Sequence, residues 1–140
     1  MFLRLACSLL TAVAAPAALA ATPVYAIEDA STESLIDKAS VMAAWQEALP
    51  QARLLKLYPA AKWGFLSQVE GGVVNGQFCV VTARVSMLPK TSPTRRLVWE
   101  PAKTSTAFDG KTVATPAECN ALAKSKLNDA LRSLVSSLVK

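Results

Sequence analysis

The most regular pattern of apolar positions lies near the C-terminus. From Cys119 onward, apolar side chains recur at Leu122, Ala123, Leu127, Ala130, Leu131, Leu134 and Leu138, a spacing that places them on one face of an α-helix. Thr115-Pro116-Ala117-Glu118 precedes the stripe. Thr at the N-cap, Pro at the first helical position and Glu at the third make a capping box, so the helix is predicted to begin there. A second stretch has the same period, with Leu35, Ile36, Ala39, Met42, Ala43 and Leu49 on one side. Ser31 or Thr32 is its expected cap, and Glu33 falls in its first turn. Pro50 lacks the donor that a helix interior needs and should break this helix. Residues 51–57 restart it, with Leu54, Leu55, Leu57 and Tyr58 on the apolar side, and Pro59 ends it.

From Trp63 the period falls to two. Residues 64–70 and 77–88 read as strands, separated by Gly71-Gly72 and Asn75-Gly76, the second of which is a two-residue hairpin signal. Cys79, Val81, Ala83, Val85 and Met87 form one apolar face, with Thr82, Arg84 and Ser86 opposite. Uninterrupted pairing across a two-residue turn would bring Gln68 and Glu70 onto that apolar face. One extra residue turns Phe65, Ser67 and Val69 inward instead, and a bulge at Gly71 or Gly72 is expected to supply it. Arg95 to Glu100 reads as a third strand, with Leu97 and Trp99 in the core and Arg84 opposite Glu100. Trp63 is expected to be partly exposed. Asp109-Gly110 reads as a turn joining short strands at 105–108 and 111–114.

This order predicts an α+β fold: an antiparallel meander of about four to five strands, with an N-terminal helix broken near Pro50 and a C-terminal helix packed on one face. Cys79 belongs to the apolar face of a strand and Cys119 to that of the last helix. Both point into one interface, so a single disulfide is expected between them. The layout resembles that of cystatin-like and related small exported domains. That likeness is architectural and implies no activity.

The N-terminus has a different character. Met1 to Arg4 carries one positive charge, Leu5 to Ala20 is apolar, and Ala18-Leu19-Ala20 is a small-x-small site. These are the parts of a secretory signal peptide. Residues 1–20 are read as that signal, 21–31 as a flexible leader and 32–140 as one domain. Val24-Tyr25-Ala26 offers a second cleavage site after Ala26. The apolar run is shorter than a membrane-spanning helix and is interrupted by Pro16, so no transmembrane span is expected once the signal is removed. Cys7 would leave with it. Lipidation at Cys7 is not expected, because Arg4 occupies an aliphatic position of that motif and the apolar stretch follows Cys7. The mature chain then keeps two cysteines in an oxidising compartment, periplasmic or extracellular.

Composition narrows the chemistry. The chain has no histidine, which removes Ser–His and Cys–His nucleophiles and the commonest metal ligand. The acidic residues are scattered, and Cys79 and Cys119 form no Cys-x-x-Cys pair. No catalytic set, metal or cofactor is expected. Glu70 with Glu100 or Asp109, or a Ser–Lys pair within Lys124-Ser125-Lys126, would be the only routes to a small hydrolase. Net charge is +5, and residues 84–111 hold most of the excess. Arg84, Lys90, Arg95, Arg96 and Lys103 are therefore the candidate ligand-binding residues, suited to phosphate or carboxylate groups. Nucleic acid is not an expected partner for an exported chain. The leading reading is a non-catalytic exported domain that binds an envelope or extracellular protein. The alternative is an anion- or lipid-binding module built on residues 84–103.

Overall fold

The computed structural model describes residues 24–140. The expected signal peptide, its cleavage after Ala20 and Cys7 lie outside the described residues. Strand β1 (Ala26–Asp29) is followed by helices α1 (Lys38–Ala48) and α2 (Gln51–Leu57). Strands β2 (Trp63–Val74), β3 (Phe78–Pro89) and β4 (Lys103–Thr112) come next, and helix α3 (Pro116–Leu138) ends the fold. The fold is α+β, with four strands in the order β1-β2-β3-β4. β2, β3 and β4 form an antiparallel meander, and β1 runs parallel to β2.

α3 starts where its capping signal stands. Thr115 Oγ1 accepts from the Glu118 backbone N–H, and the Glu118 carboxylate accepts from the Thr115 N–H. All eight apolar residues of the expected stripe are buried. They share one core with Val81, Ala83, Val85 and Met87 of β3 and with Val41, Trp45 and Leu54 of the first two helices. Each fully buried leucine contributes roughly 2 kcal/mol of apolar burial. The Cys79–Cys119 disulfide joins strand to helix, with Cα atoms 5.6 Å apart.

The N-terminal helix is broken at Pro50, which stands at the N-cap of α2. Its start and phase differ from expectation. Asp37, not Ser31 or Thr32, caps α1: its carboxylate accepts from the Ser40 backbone N–H at 2.8 Å and from the Ser40 hydroxyl. Leu35 and Ile36 are buried in the turn before it, where both N–H groups donate to Thr32 O. The helix therefore buries Val41, Ala44 and Trp45, and Ala39 and Ala43 face solvent. Trp45 and Val41 bury far more apolar surface than the two alanines, which decides the rotation.

The β2–β3 hairpin has the expected inward face but not the expected bulge. One register, from Trp63↔Pro89 to Val74↔Phe78, runs unbroken past both Gly71 and Gly72. The extra residue is Gln77, beside the turn. Asn75 and Gly76 both have positive φ, and Gln77 N–H donates to Val74 O, the features of a type I′ turn. Phe65, Ser67 and Val69 thus face Met87, Val85 and Ala83.

Three further expectations are overturned. Residues 26–29 are not leader: they form β1, and Asp29 Oδ1 accepts from the hydroxyls of Ser31 and Ser67. Residues 95–100 are not a strand. The segment after β3 folds back through a single Lys90↔Leu97 bridge, and Trp99 is exposed. Asp109-Gly110 is not a turn, since both lie inside the continuous β4. Their partners Val81 and Val80 hold them in the ladder, so cross-strand pairing overrides the local turn preference. Trp63 is half-buried, as expected.

Candidate functional site

The helices cover one face of the sheet only. Residues two apart on a strand share a face, so Phe78, Val80, Thr82, Arg84, Ser86 and Leu88 of β3 lie on the face away from α1 and α3. Their register partners lie there too, from Gly64 to Val74 on β2 and from Thr104 to Thr112 on β4.

One end of this face is covered. Leu66 and Leu88 are buried although they point away from the helices. The returning segment 91–102 packs here: a Cβ added to Gly64 would lie 2.6 Å from Leu97 Cδ2. Val98 N–H donates to Pro89 O, and Lys90 N–H donates to Lys62 O. Ser86 Oγ and Thr104 Oγ1 are hydrogen-bonded at 2.9 Å.

The other end is open and apolar. Val74, Phe78, Val80 and Phe108 are all exposed, Phe108 at 79%. Val74 pairs with Phe78, and Thr82 lies between Glu70 and Phe108. Gly110 allows the Phe78 ring to settle across β4, where a Cβ would meet ring carbons at 3.1–3.2 Å. Arg84 sits in the middle of the face between Gln68 and Thr106. The result is an apolar group of four side chains bordered by one cation, one carboxylate and several threonines.

The basic residues singled out by sequence do not form one cluster. Lys90 Nζ donates to Ala60 O at 2.8 Å. Partial desolvation, and secondarily the Arg95 charge, hold its pKa below the ordinary lysine value. Lys103 pairs with Met87, so it belongs to the helix-side row, and its Nζ donates to Ser137 O at 2.7 Å. Both ammonium groups are anchored on backbone carbonyls. Arg84, Arg95 and Arg96 remain exposed, and among the described residues the ion pairs involve only Lys126, Arg132, Asp109 and Asp129. Arg84 faces Thr106, not Glu100.

One possible hydrolytic pair, Glu70 with Asp109, is split between the two faces of the sheet. Glu70 lies on the helix-free face, and Asp109, opposite Val81, lies on the helix side. Ser125 lines a groove of about 580 Å³ between α1 and α3, together with Ala44, Glu47, Asn128 and Arg132. Its neighbour Lys126 is 2.6 Å from Asp129. Hydrogen bonding to that carboxylate raises the Lys126 pKa, the opposite of what a lysine base requires. Among the described residues no group of three or more cysteines, aspartates or glutamates is gathered to hold a metal ion. No helix there is long and apolar enough to cross a membrane.

No family model matches this chain, and no curated protein matches it. Among solved structures, the chain is similar to a minor lipoprotein from Acinetobacter baumannii at 13% identity and a TM-score of 0.43, covering 81% of this chain and 91% of that one. It is also similar to a "putative lipoprotein" from Caulobacter crescentus at 13% identity and a TM-score of 0.33, covering 81% and 84%. Likenesses this distant carry no argument about activity, so the functional reading rests on the surface described above.

Proposed function

We propose that this chain is a non-catalytic exported domain that binds a protein partner through the helix-free face of β2, β3 and β4. The observation that carries the reading is the exposed group Val74, Phe78, Val80 and Phe108 beside Arg84. Apolar residues clustered at a polar rim are the usual composition of a contact surface. The anion- or lipid-binding alternative has less support, because Lys90 and Lys103 are engaged by carbonyls on different parts of the fold.

Export is part of the same proposal, with cleavage after Ala20. Cleavage after Ala26 would remove Tyr25, which is buried against Phe65 with ring centroids 5.1 Å apart. Its hydroxyl also donates to Tyr58 O at 2.7 Å. A buried aromatic with a satisfied hydroxyl belongs to the folded domain. The periplasmic or extracellular setting accords with the Cys79–Cys119 bridge.

The test is a crosslinking pull-down from the native envelope fraction, comparing wild-type protein with Phe108→Asp at low and moderate salt. One protein enriched at both salts by wild type, and lost with Phe108→Asp, is the expected result. Equal capture by both proteins would remove the face from the proposal. Recovery only of acidic lipid or glycan, lost as salt rises, would replace it with the anion-binding reading.

A further inference from the structure

β4 forms one edge of the sheet, and half of its backbone groups point away from it. Val113 N–H donates to Gln77 O, in line with the Thr112↔Phe78 register. Odd-numbered residues of β4 therefore exchange hydrogen bonds with β3. The even-numbered Thr104, Thr106, Phe108, Gly110 and Thr112 direct N–H and C=O outward, and of these the Gly110 N–H donates to Asp109 Oδ1. Exposed edges are ordinarily blunted by a proline, a bulge, a short length or charged side chains, and of these β4 carries only the charges, of both signs: Lys103, Asp109 and Lys111. β4 has no proline, holds one register over all ten pairs with β3, and is not short. At the opposite edge, β1 has only four residues.

We propose that β4 pairs antiparallel with β4 of a second copy of this chain, across a two-fold axis at Thr106. The charges on the helix-side row select this register. With the axis at Thr106, Lys103 faces Asp109 of the second copy, and Asp109 faces Lys103 of the second copy. Thr104 then faces Phe108, and Ser105 faces Ala107. An axis at Ala107 would set Lys103 against Lys111, and an axis at Asp109 would set the two aspartates against each other. An axis at Phe108 would leave the charges opposite Ser105 and Ala107. An axis at Gly110 would pair Asp109 with Lys111 but would use only the end of the strand. Thr106 alone gives two opposite-charge pairs along the length of β4.

Local geometry agrees with this choice. The outward groups of Thr104, Thr106 and Phe108 become hydrogen-bonded pairs. Lys103 and Asp109 then fall at non-hydrogen-bonded positions, where facing side chains approach most closely. Lys103 uses one of its three donors on Ser137 O; Asp109 Oδ1 accepts from the Gly110 N–H and Oδ2 is 3.8 Å from Lys126, so a partner would share the lone pairs that these contacts leave. The pairing makes one continuous sheet with the helices on one side. On the other side, each Phe108 lies two residues from the axis, and the two exposed apolar groups become neighbours. This inference does not depend on the partner-binding reading, since a second copy and a foreign partner use different groups: the β4 backbone edge and the side chains of the face.

The experiment is light scattering and sedimentation over a concentration series of the exported, oxidised protein. A concentration-dependent dimer is expected. Thr106→Pro removes the outward N–H at the axis and spares the bonds to β3, so it should be monomeric, with the urea midpoint of wild type when both are measured at a dilution where wild type is also monomeric. Asp109→Lys should weaken the dimer by about tenfold or more, and adding Lys103→Asp should restore it. Zero-length carbodiimide coupling of mixed heavy-nitrogen-labelled and unlabelled chains should join Lys103 of one to Asp109 of the other. A chain that stays monomeric at millimolar concentration would overturn the proposal. So would a dimer that survives Thr106→Pro, or one that lacks the Lys103–Asp109 crosslink.

Discussion

Gly71 and Gly72 are adjacent, both have φ values that side chains avoid, and replacing each by alanine should have unequal effects. Gly71 has φ +129°, and a Cβ there would lie 2.0 Å from Val80 O and 2.9 Å from Val80 C. Those atoms are backbone of the paired strand, so no flexible side chain can yield. Relief needs a displacement of about 1 Å between β2 and β3 before the contact reaches 3.0 Å. Gly72 has φ +149°, but its Cβ would have nothing within 4 Å. Gly72→Ala then carries only backbone strain, about 1–2 kcal/mol. Gly71→Ala carries similar strain plus the lost pairing, about 3–4 kcal/mol in all. Urea unfolding of the oxidised protein, followed by circular dichroism, measures both. Gly71→Ala should be the less stable by about 2 kcal/mol. Its slowed amide protection should also disappear first around Val80. Equal losses, or a larger loss for Gly72→Ala, would refute the claim that the two strands meet this closely at Gly71. The result bears on function as well, because the Val80 backbone carries one of the four exposed apolar side chains.

Two further outcomes follow from the covalent and capping chemistry. Replacing Cys79 and Cys119 together by alanine should lower the unfolding free energy by about 4 kcal/mol, from the loop entropy of a 40-residue separation; an unchanged urea midpoint would contradict this. Hydrogen bonds from the Ala114 and then the Thr115 backbone N–H hold the Glu118 pKa below its ordinary 4.5. A depressed carboxylate pKa stabilises the fold above the unfolded value, and that contribution is lost as pH falls through the folded value. The first turn of α3 should therefore loosen as pH falls below 4.5 and on through the depressed folded value, read as the Glu118 amide signal by NMR, and Glu118→Gln should flatten that dependence.

The parts of the fold that were legible in the sequence are those where local and long-range preferences agree. At α3 the cap, the proline and the stripe all indicate one helix, and every stripe residue is buried. The disulfide followed because both cysteines belonged to apolar faces already defined by their neighbours. The phase of α1 departs from the sequence pattern for a physical reason. Leu35 and Ile36 belong to a turn held by Thr32 O, so counting the helix from them rotates its buried face away from Val41 and Trp45. β1 leaves no pattern in the sequence because four residues have too little period to register. It is held instead by contacts with no local signature: the parallel ladder to β2 and the Ser67 hydroxyl donating to Asp29.

The candidate site was less legible, and its basic and apolar parts were obscured differently. The arginines and lysines were visible as a group in sequence, but alternation sends Arg84 and Lys103 to opposite faces of the sheet. Lys90 and Lys103 then find carbonyls that no sequence spacing announces. The apolar part left a signal in parity. Phe78 and Val80 share the row of Thr82 and Arg84, so an exposed aromatic end of that row could have been read from β3 alone. Phe108 was hidden by the Asp109-Gly110 turn signal, which ended its strand too early. Once β4 is continuous, Phe108 stands opposite Thr82 and diagonal to Val80 on the same face. The same continuity turns the backbone groups of Thr104, Thr106, Phe108, Gly110 and Thr112 to an edge that carries no further strand among the described residues. One local preference overridden by cross-strand pairing therefore creates both the apolar face and the edge beside it. A substitution that restored the turn at Asp109-Gly110 would remove both together.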